Sequence, residues 1–230
     1  MPDALTIAVG ESAHVSARLY HSVETASTGA TFVLAHGAGA GQSSPFIVRF
    51  ATALAARGLD VLTFNFLYTE ERRRVPDRND TLESCYRAVI ASARGIRALG
   101  GHAMFSGGKS MGGRIASQVA AGEDAAAVSG LIFLGYPLHP PGQPQRLRAA
   151  HLAKIRAPML FIQGSRDPFG KPDELRPILD RLPASVTLHV VQGGDHSLAP
   201  PKKGHSSTEQ LEAEVQDTIV AWIRAHISTH

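Results

Sequence analysis

Short, unbroken hydrophobic runs recur along the chain, and longer amphipathic stretches separate them. A hydrophobic run without polar alternation is typical of a strand that is covered on both faces of a sheet. Two shorter stretches near the start, residues 4–8 and 13–20, predict an antiparallel hairpin. Six runs are predicted to be buried strands: TFVLAHG (31–37), DVLTFNF (60–66), HAMFSG (102–107), GLIFLGYPL (130–138), PMLFIQG (158–164) and VTLHVVQG (186–193).

Helical patterns fill the intervals between these strands. Pro45 occupies a first-turn position and Gly58 ends that helix. A second helix is expected to begin at a capping Asn79 or Asp80 and to end near Leu99. Three more helices are expected, one after Ser110, one at about 173–182 and one at about 207–227. Strands that alternate with helices predict an α/β fold, with a mostly parallel sheet and helices on both faces.

Composition narrows the class of protein. The chain has 230 residues, and no linker divides it, so residues 1–230 are expected to form a single domain. A net charge of +3 is too small to indicate nucleic acid as a partner. Cys85 is the single cysteine, which excludes an internal disulfide, and its helical context indicates a small buried side chain.

Targeting and metal-binding patterns are not found in the sequence. The N-terminus lacks the features of a signal peptide, and no apolar run reaches the ~20 residues that span a bilayer. We therefore expect a cytoplasmic protein without membrane contact. The histidines show no metal-ligand spacing, so we expect no metal and no cofactor. The sequence does not indicate an oligomeric state.

The stretch SGGKSMGGR (106–114) fits two motifs. Its Gly-Lys-Ser could end a phosphate-binding P-loop, in which Ser110 would be a magnesium ligand. That motif requires a glycine where Ala103 stands. It also calls for an aspartate at the end of a neighbouring strand, and the strands that end at Phe66 and Leu138 offer none. The nucleotide-binding interpretation is therefore disfavoured.

The second motif is G-x-S-x-G, the frame of a nucleophilic serine on a sharp strand-to-helix turn. Gly108 and Gly112 flank Ser110 at the required spacing, between a predicted strand and a predicted helix. Glycines are needed there because the turn is strained and the strand and helix pass close together. This arrangement makes Ser110 a candidate nucleophile.

A serine nucleophile needs a general base, and the base needs a carboxylate that fixes its tautomer. Asp167 follows the fifth buried strand and His196 follows the sixth, in the chain order Ser, Asp, His. Since ligand sites lie beyond the C-terminal ends of parallel strands, these side chains are expected to meet. Asp195 is a weaker candidate for the acid, because a residue adjacent to the base cannot easily reach its Nδ1.

The developing oxyanion requires two backbone N–H donors. The residue after the nucleophile, Met111, is expected to supply one. The loop HGAGAG (36–41) is expected to supply the other, from Ala38 or, as second choice, Gly39, because its small residues let the backbone approach a substrate. The alternative is that this loop is only a flexible turn.

The segments LAHGAGAG, GGKSMGGR, QGSRDPFG and GGDHSL together resemble the oxyanion, nucleophile, acid and base segments of the α/β-hydrolase superfamily. Lys109 and the stretch FNFLYTEERRRVPDR (64–78) resemble, more narrowly, a small lidless branch related to dienelactone hydrolases. That branch groups bacterial proteins with a testis-expressed protein and a subunit of a histone-acetyltransferase complex. The resemblance implies eight core strands, the first two forming the hairpin. Dienelactone hydrolases usually carry a cysteine nucleophile, which the serine here does not match.

Several residues are candidates for substrate selection. About twenty residues separate the strand 130–138 from the strand 158–164, which predicts an open site without a sizeable lid. Arg72, Arg73 and Arg74 follow the second buried strand and could bind an anionic group of the substrate. A solvated loop with internal ion pairs is the alternative. His36 is a further candidate for substrate contact.

Lys109 precedes the nucleophile on the tight turn and is expected to point beneath the site. A buried ammonium needs a partner, and Glu70 or Asp77 is predicted to provide it.

These observations predict a serine hydrolase that cleaves an ester, a thioester or a small amide through a Ser-His-Asp triad and an acyl-enzyme. The rival hypothesis is a catalytically silent interaction module with the same fold.

Overall fold

The computed structural model describes residues 1–122, 127–201 and 207–227. Its centre is one eight-stranded sheet with the strand order β1-β2-β4-β3-β5-β6-β7-β8. The strands are β1 (Asp3–Val9), β2 (Ala13–Tyr20), β3 (Ala30–Ala35), β4 (Asp60–Phe64), β5 (Ala103–Lys109), β6 (Gly130–Leu134), β7 (Met159–Gly164) and β8 (Val186–Val191).

Six α-helices connect or follow these strands. They are α1 (Pro45–Ala56), α2 (Leu67–Glu70), α3 (Asn79–Gly95), α4 (Met111–Ala121), α5 (Pro172–Leu179) and α6 (Thr208–His226), counted over the described residues. Short 3₁₀ turns occupy Glu24–Ala26, Arg97–Leu99 and Ala150–Lys154. The structure corrects the expected start of α3, because Arg78 is the N-cap and no side chain caps the helix.

The pairing of the strands confirms the predicted architecture. Strands β3 to β8 are parallel, whereas β1 pairs antiparallel with β2, and β2 pairs antiparallel with β4. The run 130–138 is a strand only as far as Leu134, because Gly135 turns the backbone at φ 66°. The site therefore forms on a parallel sheet whose C-terminal strand ends share one edge.

Burial on both faces explains why the strand sequences do not alternate. In β3, Phe32 and Leu34 pack into one hydrophobic cluster with α1 and α6, whereas Val33 and Ala35 pack into the other with α3 and α4. All six residues of β3 are buried. The two clusters hold the sheet rigidly between the helical layers, which fixes the positions of the strand ends.

The connection between β6 and β7, residues 135–158, holds one short 3₁₀ turn and no inserted helical domain. No large lid covers the described part of the site, as the sequence predicted. Among the described residues, none of the helices is long and apolar enough to cross a membrane.

Candidate active site

Ser110 lies on the turn between β5 and α4 with an unusual backbone conformation. Its φ is 49° and its ψ is −114°, a strained combination for a residue with a side chain. Neighbouring backbone leaves no room for side chains beside it. A Cβ at Gly108 would lie 2.4 Å from the Ala35 oxygen, and one at Gly112 would lie 2.6 Å from the His36 oxygen. The glycines thus let the turn approach β3 closely enough to present the Ser110 hydroxyl.

The structure brings the Ser110, His196 and Asp167 side chains together. His196 Nε2 lies 2.8 Å from Ser110 Oγ, and His196 Nδ1 lies 2.8 Å from Asp167 Oδ2. A neutral imidazole that donates from Nδ1 to the carboxylate leaves Nε2 free to accept the hydroxyl proton. The arrangement has the geometry that a general base needs to activate an alcohol.

Three contacts fix the acid and the imidazole. The Asp167 side chain is fully buried. Its Oδ1 accepts the Phe169 N–H at 2.8 Å, and its Oδ2 also accepts from Gln163 Nε2 at 2.9 Å. The Phe169 ring stacks on the His196 ring with centroids 4.1 Å apart. No motif marks Gln163 or Phe169 in the sequence as a supporting residue, although both lie within four positions of Asp167.

Asp195 performs a different role from Asp167. Its Oδ1 accepts the Ser197 N–H at 2.7 Å and the Ala199 N–H at 3.1 Å. The carboxylate therefore shapes the turn that carries His196, and it does not contact the imidazole in the way Asp167 does.

The structure corrects the predicted partner of Lys109. Its Nζ donates to the backbone oxygen of His196. Burial lowers the pKa of Lys109 to about 8, and the nearby charges of Asp167 and Asp195 partly oppose this shift. The Lys109 side chain extends to Gly135. A Cβ added to this glycine would lie 3.0 Å from Nζ.

The two carboxylates that were predicted for Lys109 are bound elsewhere. Glu70 accepts hydrogen bonds from the Ser16 N–H and hydroxyl. Asp77 accepts the Tyr68 N–H at 3.0 Å and also pairs with Arg73. Both therefore stabilise the segment around α2.

His36 is a structural residue of the loop after β3, which corrects its predicted role as a substrate contact. It is fully buried. Its Nδ1 donates to the Gly37 oxygen at 2.8 Å, and its Nε2 accepts the Phe66 N–H at 3.2 Å. Burial lowers its pKa, consistent with a neutral ring. The imidazole thus ties the loop to the end of β4.

The loop after β3 and the start of α4 each contribute one of the predicted oxyanion residues to the lining of the cleft. Ala38 and Met111 line the same cleft as the Ser110 hydroxyl. Met111 is the first residue of α4, and the first N–H groups of a helix lack intrahelical acceptors. Gly39 is not among the residues that line the cleft, and its backbone lies near the Tyr68 hydroxyl. Of the two candidates for the second oxyanion donor, Ala38 therefore lies at the cleft and Gly39 does not.

A cleft of about 720 Å³ opens over these groups. Its apolar lining includes Phe46, Ile47, Leu82, Pro137 and Phe169. The charged residues of its lining include three arginines that no sequence motif indicated: Arg49, Arg114 and Arg148.

Arg72, Arg73 and Arg74 lie outside this cleft, which corrects the prediction that they contact substrate. All three are exposed, and none lines the cleft. Arg73 pairs with Glu71 and Asp77. The backbone at Arg72 has a left-handed conformation, with φ 57°. The alternative interpretation, a solvated loop with internal ion pairs, describes Arg73.

Two further expectations concern groups outside the cleft. Cys85 is buried in α3, and burial raises the pKa of its thiol to about 12. Within the described ranges, no three histidine, cysteine, aspartate or glutamate side chains cluster in a way that could hold a metal ion.

Solved structures share this fold at low sequence identity. A dienelactone hydrolase from Anabaena variabilis is 21% identical with a TM-score of 0.76, and the alignment covers 99% of each chain. An α/β serine hydrolase without a lid from Xanthomonas campestris is 20% identical with a TM-score of 0.74, covering 100% of this chain and 97% of that one. Est1E from Butyrivibrio proteoclasticus is 14% identical with a TM-score of 0.74, covering 97% and 98%.

The sequence family described as alpha/beta hydrolase domain matches residues 28–224, which include all of the residues that meet around Ser110. The match spans most of the chain, and the sheet order agrees with the fold of the similar structures. This chain belongs to the alpha/beta hydrolase domain family.

Proposed function

We propose that this protein is a serine hydrolase that cleaves a small carboxylic ester, or a thioester or small amide, through an acyl-enzyme. The observation that carries the proposal is the continuous hydrogen-bonded chain from Ser110 Oγ through His196 to Asp167, with both links at 2.8 Å. Ser110 and His196 line a cleft that is large enough for a small organic substrate.

In the proposed first step, Ser110 Oγ attacks the substrate carbonyl carbon while His196 Nε2 takes the hydroxyl proton. Asp167 holds the imidazole in the required tautomer and stabilises the imidazolium. His196 then gives the proton to the leaving oxygen, sulfur or nitrogen as its bond to the carbonyl carbon breaks. Water, activated in the same way by His196, hydrolyses the acyl-Ser110 ester and restores the hydroxyl.

The proposed oxyanion donors are the N–H groups of Met111 and Ala38. Both residues line the cleft beside Ser110. Donors that are fixed before the reaction stabilise the charge on the carbonyl oxygen without reorganisation, which is worth about 10²–10³ in kcat for one such donor. The His36 ring, which is bonded to Gly37 and Phe66, holds the Ala38 loop in place.

The open cleft favours small substrates over long-chain lipids that would need a covering lid. The similarity to a lidless serine hydrolase and to a dienelactone hydrolase supports this choice. We further propose that the chain falls in the lidless branch that its GGKSMGGR and 64–78 segments resemble, and that residues 1–230 act as one domain.

The test is hydrolysis of p-nitrophenyl esters of increasing chain length by the wild type and by Ser110→Ala. Removal of the nucleophile is expected to lower kcat by about 10⁴-fold or more. A fluorophosphonate probe should label the wild type and leave Ser110→Ala unlabelled. A correctly folded wild type that neither labels nor hydrolyses any ester would instead support the rival hypothesis, a silent interaction module.

A further inference from the structure

Arg114 lies one helical turn beyond the proposed nucleophile. Its N–H donates to the Ser110 oxygen at 3.0 Å in the first turn of α4. Residues four apart share a helix face and are separated by about 6 Å along the axis. The guanidinium donates to two neutral amides, Gln118 Oε1 at 3.0 Å and Asn79 Oδ1 at 3.3 Å. Arg114 and Asn79 both line the cleft, and the amide partners leave the positive charge of Arg114 unneutralised by direct contact.

Arg148 approaches the same cleft from the β6–β7 connection, and its backbone is held from both sides. Its N–H donates to the Leu138 oxygen at 2.8 Å, and its oxygen accepts from the Tyr136 hydroxyl at 2.8 Å. The Tyr136 side chain is itself buried. The arginine is thus presented by a fixed backbone, although it lies in an otherwise irregular segment.

A neutral hydrogen-bond network connects the backbones of the two arginines. The Ser117 hydroxyl donates to the Arg114 oxygen at 2.6 Å and lies 2.7 Å from His151 Nε2. Since that hydroxyl has only one proton, His151 Nε2–H donates to Ser117 Oγ, and it also lies 3.5 Å from the Tyr136 hydroxyl. Burial and the charge of Arg114 lower the pKa of His151 to about 4, so the ring adds no positive charge at neutral pH.

The two carboxylates that line the cleft are already paired with other arginines. Glu212 accepts from Arg49 at 2.7 and 3.0 Å, and Asp77 accepts from Arg73. Among the described residues, no aspartate or glutamate oxygen lies within 4.0 Å of the Arg114 or Arg148 guanidinium. Burial lowers the pKa of Arg114, the charge of Arg148 lowers it further, and the more distant Glu83 opposes this shift only in part. Two neighbouring cations repel one another, and an incoming anion would relieve this repulsion.

We propose that Arg114 and Arg148 form a binding site for a carboxylate or phosphate group that the substrate carries in addition to its scissile carbonyl. The inference deepens the proposed function, on which it rests, by naming the substrate class: anionic esters. Guanidinium groups bind such oxyanions with paired, charge-assisted hydrogen bonds. Because Arg114 lies one helical turn from Ser110, the probe chosen for the site is a glutaryl ester, whose carboxylate lies four bonds from the scissile carbonyl carbon.

The first experiment compares two esters of equal acyl length that differ in charge. The ratio of kcat/KM for mono-p-nitrophenyl glutarate to that for p-nitrophenyl valerate is measured, with Ser110→Ala as the blank for spontaneous hydrolysis. The wild type is expected to favour the glutarate by about 10- to 100-fold, mainly through KM. Arg148→Gln and Arg114→Gln should each bring the ratio close to one, and Arg148→Lys should restore part of it.

The matched control is Arg146→Gln. Arg146 lies two positions before Arg148, is exposed and does not line the cleft, so its removal should leave the ratio unchanged. Arg148→Gln is the more decisive of the two cleft variants, because the Arg114 side chain also contacts Gln118 and Asn79. Thermal denaturation of each variant verifies that it is folded. A wild-type ratio near one, or a ratio that survives in both cleft variants, overturns the inference.

A binding experiment separates this inference from the proposed hydrolase function. Calorimetric titration of Ser110→Ala with monomethyl glutarate and with dimethyl glutarate compares anionic and neutral ligands that the variant does not consume. The anion should bind about tenfold or more tightly, and adding Arg148→Gln should abolish the difference. A phosphonate analogue of the same length identifies which oxyanion is preferred. Equal affinities contradict the anion site even in an active esterase. Selective binding by a protein that hydrolyses nothing supports the site and contradicts the hydrolase.

Discussion

Single side chains in the candidate site act through contacts that are distant in sequence. Lys109 is the clearest case, because one ammonium supports the histidine loop through the His196 oxygen and lies close to Asp167 and Asp195. The sequence indicated that this lysine would be buried and would need a partner, but not in which direction it would point. Its direction depends on Gly135, which follows another strand and leaves space for Nζ.

Burial of Lys109 predicts a pH dependence of stability. Its pKa is lowered from 10.5 to about 8 in the folded protein, so between these values the unfolded chain binds more protons. The lysine therefore reduces stability fully below about pH 8, and the free energy of unfolding should rise as pH increases from about 8 to 10.5. The lowered pKa sets an upper limit of about 3 kcal/mol on this rise.

The measurement is urea denaturation of the wild type and of Lys109→Met from pH 7 to pH 10.5. Because other groups titrate in both proteins, the difference between the two unfolding free energies isolates the lysine. That difference should move in favour of the wild type across this range. A difference that stays constant, or that moves the other way, would contradict the burial of a charged ammonium.

At the scale of elements, the junction of β5, α4 and the loop after β3 determines the geometry of the site. The hydrophobic runs predicted all six strands. Five of them, β3 to β7, are covered on both faces, whereas β8 lies at the sheet edge and is buried only at Val191. The ends of elements were predicted less accurately. α2 spans only Leu67–Glu70, too short for a helical period to be visible, and a turn with Arg72 at φ 57° follows it. The exposed position of Arg72, Arg73 and Arg74 follows from that turn.

The close approach of α4 to β3 predicts that Gly112→Ala is strongly destabilising. Its Cβ would lie 2.6 Å from the His36 oxygen and 2.7 Å from the Ala35 oxygen, and neither backbone atom can move without displacing β3. Overpacking of this kind costs about 1–3 kcal/mol. Esterase activity should fall even under conditions in which the variant is fully folded, because the same displacement moves the proposed donor Ala38 relative to Ser110.

The control for this prediction is Gly95→Ala. Gly95 ends α3, and a Cβ there would meet no heavy atom within 4 Å. Since alanine favours the helix, this variant should be neutral or more stable by up to about 1 kcal/mol. Urea denaturation and the ester assay on both variants form the test. If Gly112→Ala had the same unfolding free energy and the same esterase activity as Gly95→Ala, the close contact between α4 and β3 would not be required for stability or activity.

At the scale of the whole molecule, the parallel sheet brings residues that follow different strands to one edge. Ser110, Asp167 and His196 follow β5, β7 and β8, whose C-terminal ends lie at one edge, so strand prediction and motif spacing were enough to group them. Arg114 and Arg148 could not be grouped in this way. One follows the nucleophile on a helix, the other lies on an irregular connection, and only the folded backbone shows that both face the cleft.

The cleft also depends on the contact between α1 and α6, which Arg49 and Glu212 join across its rim. The Glu212 side chain is 8% exposed and accepts two hydrogen bonds from Arg49. Arg49→Met leaves that buried carboxylate without its counter-charge and is expected to cost about 2 kcal/mol. Glu212→Gln leaves a neutral amide and should cost less, about 1 kcal/mol. The double variant should be about 1 kcal/mol more stable than the sum of the two single losses in unfolding free energy predicts.

Arg57 and Asp217 provide the matched comparison, because they join the same two helices at an exposed position. Their contact is 2.7 Å, but Asp217 is 69% exposed. Water and salt screen such a pair, so its coupling energy should stay below about 0.5 kcal/mol. Double-mutant cycles by urea denaturation at both positions measure the two values. Equal coupling energies would mean that the burial of Glu212 does not strengthen the contact that holds α6 over the cleft.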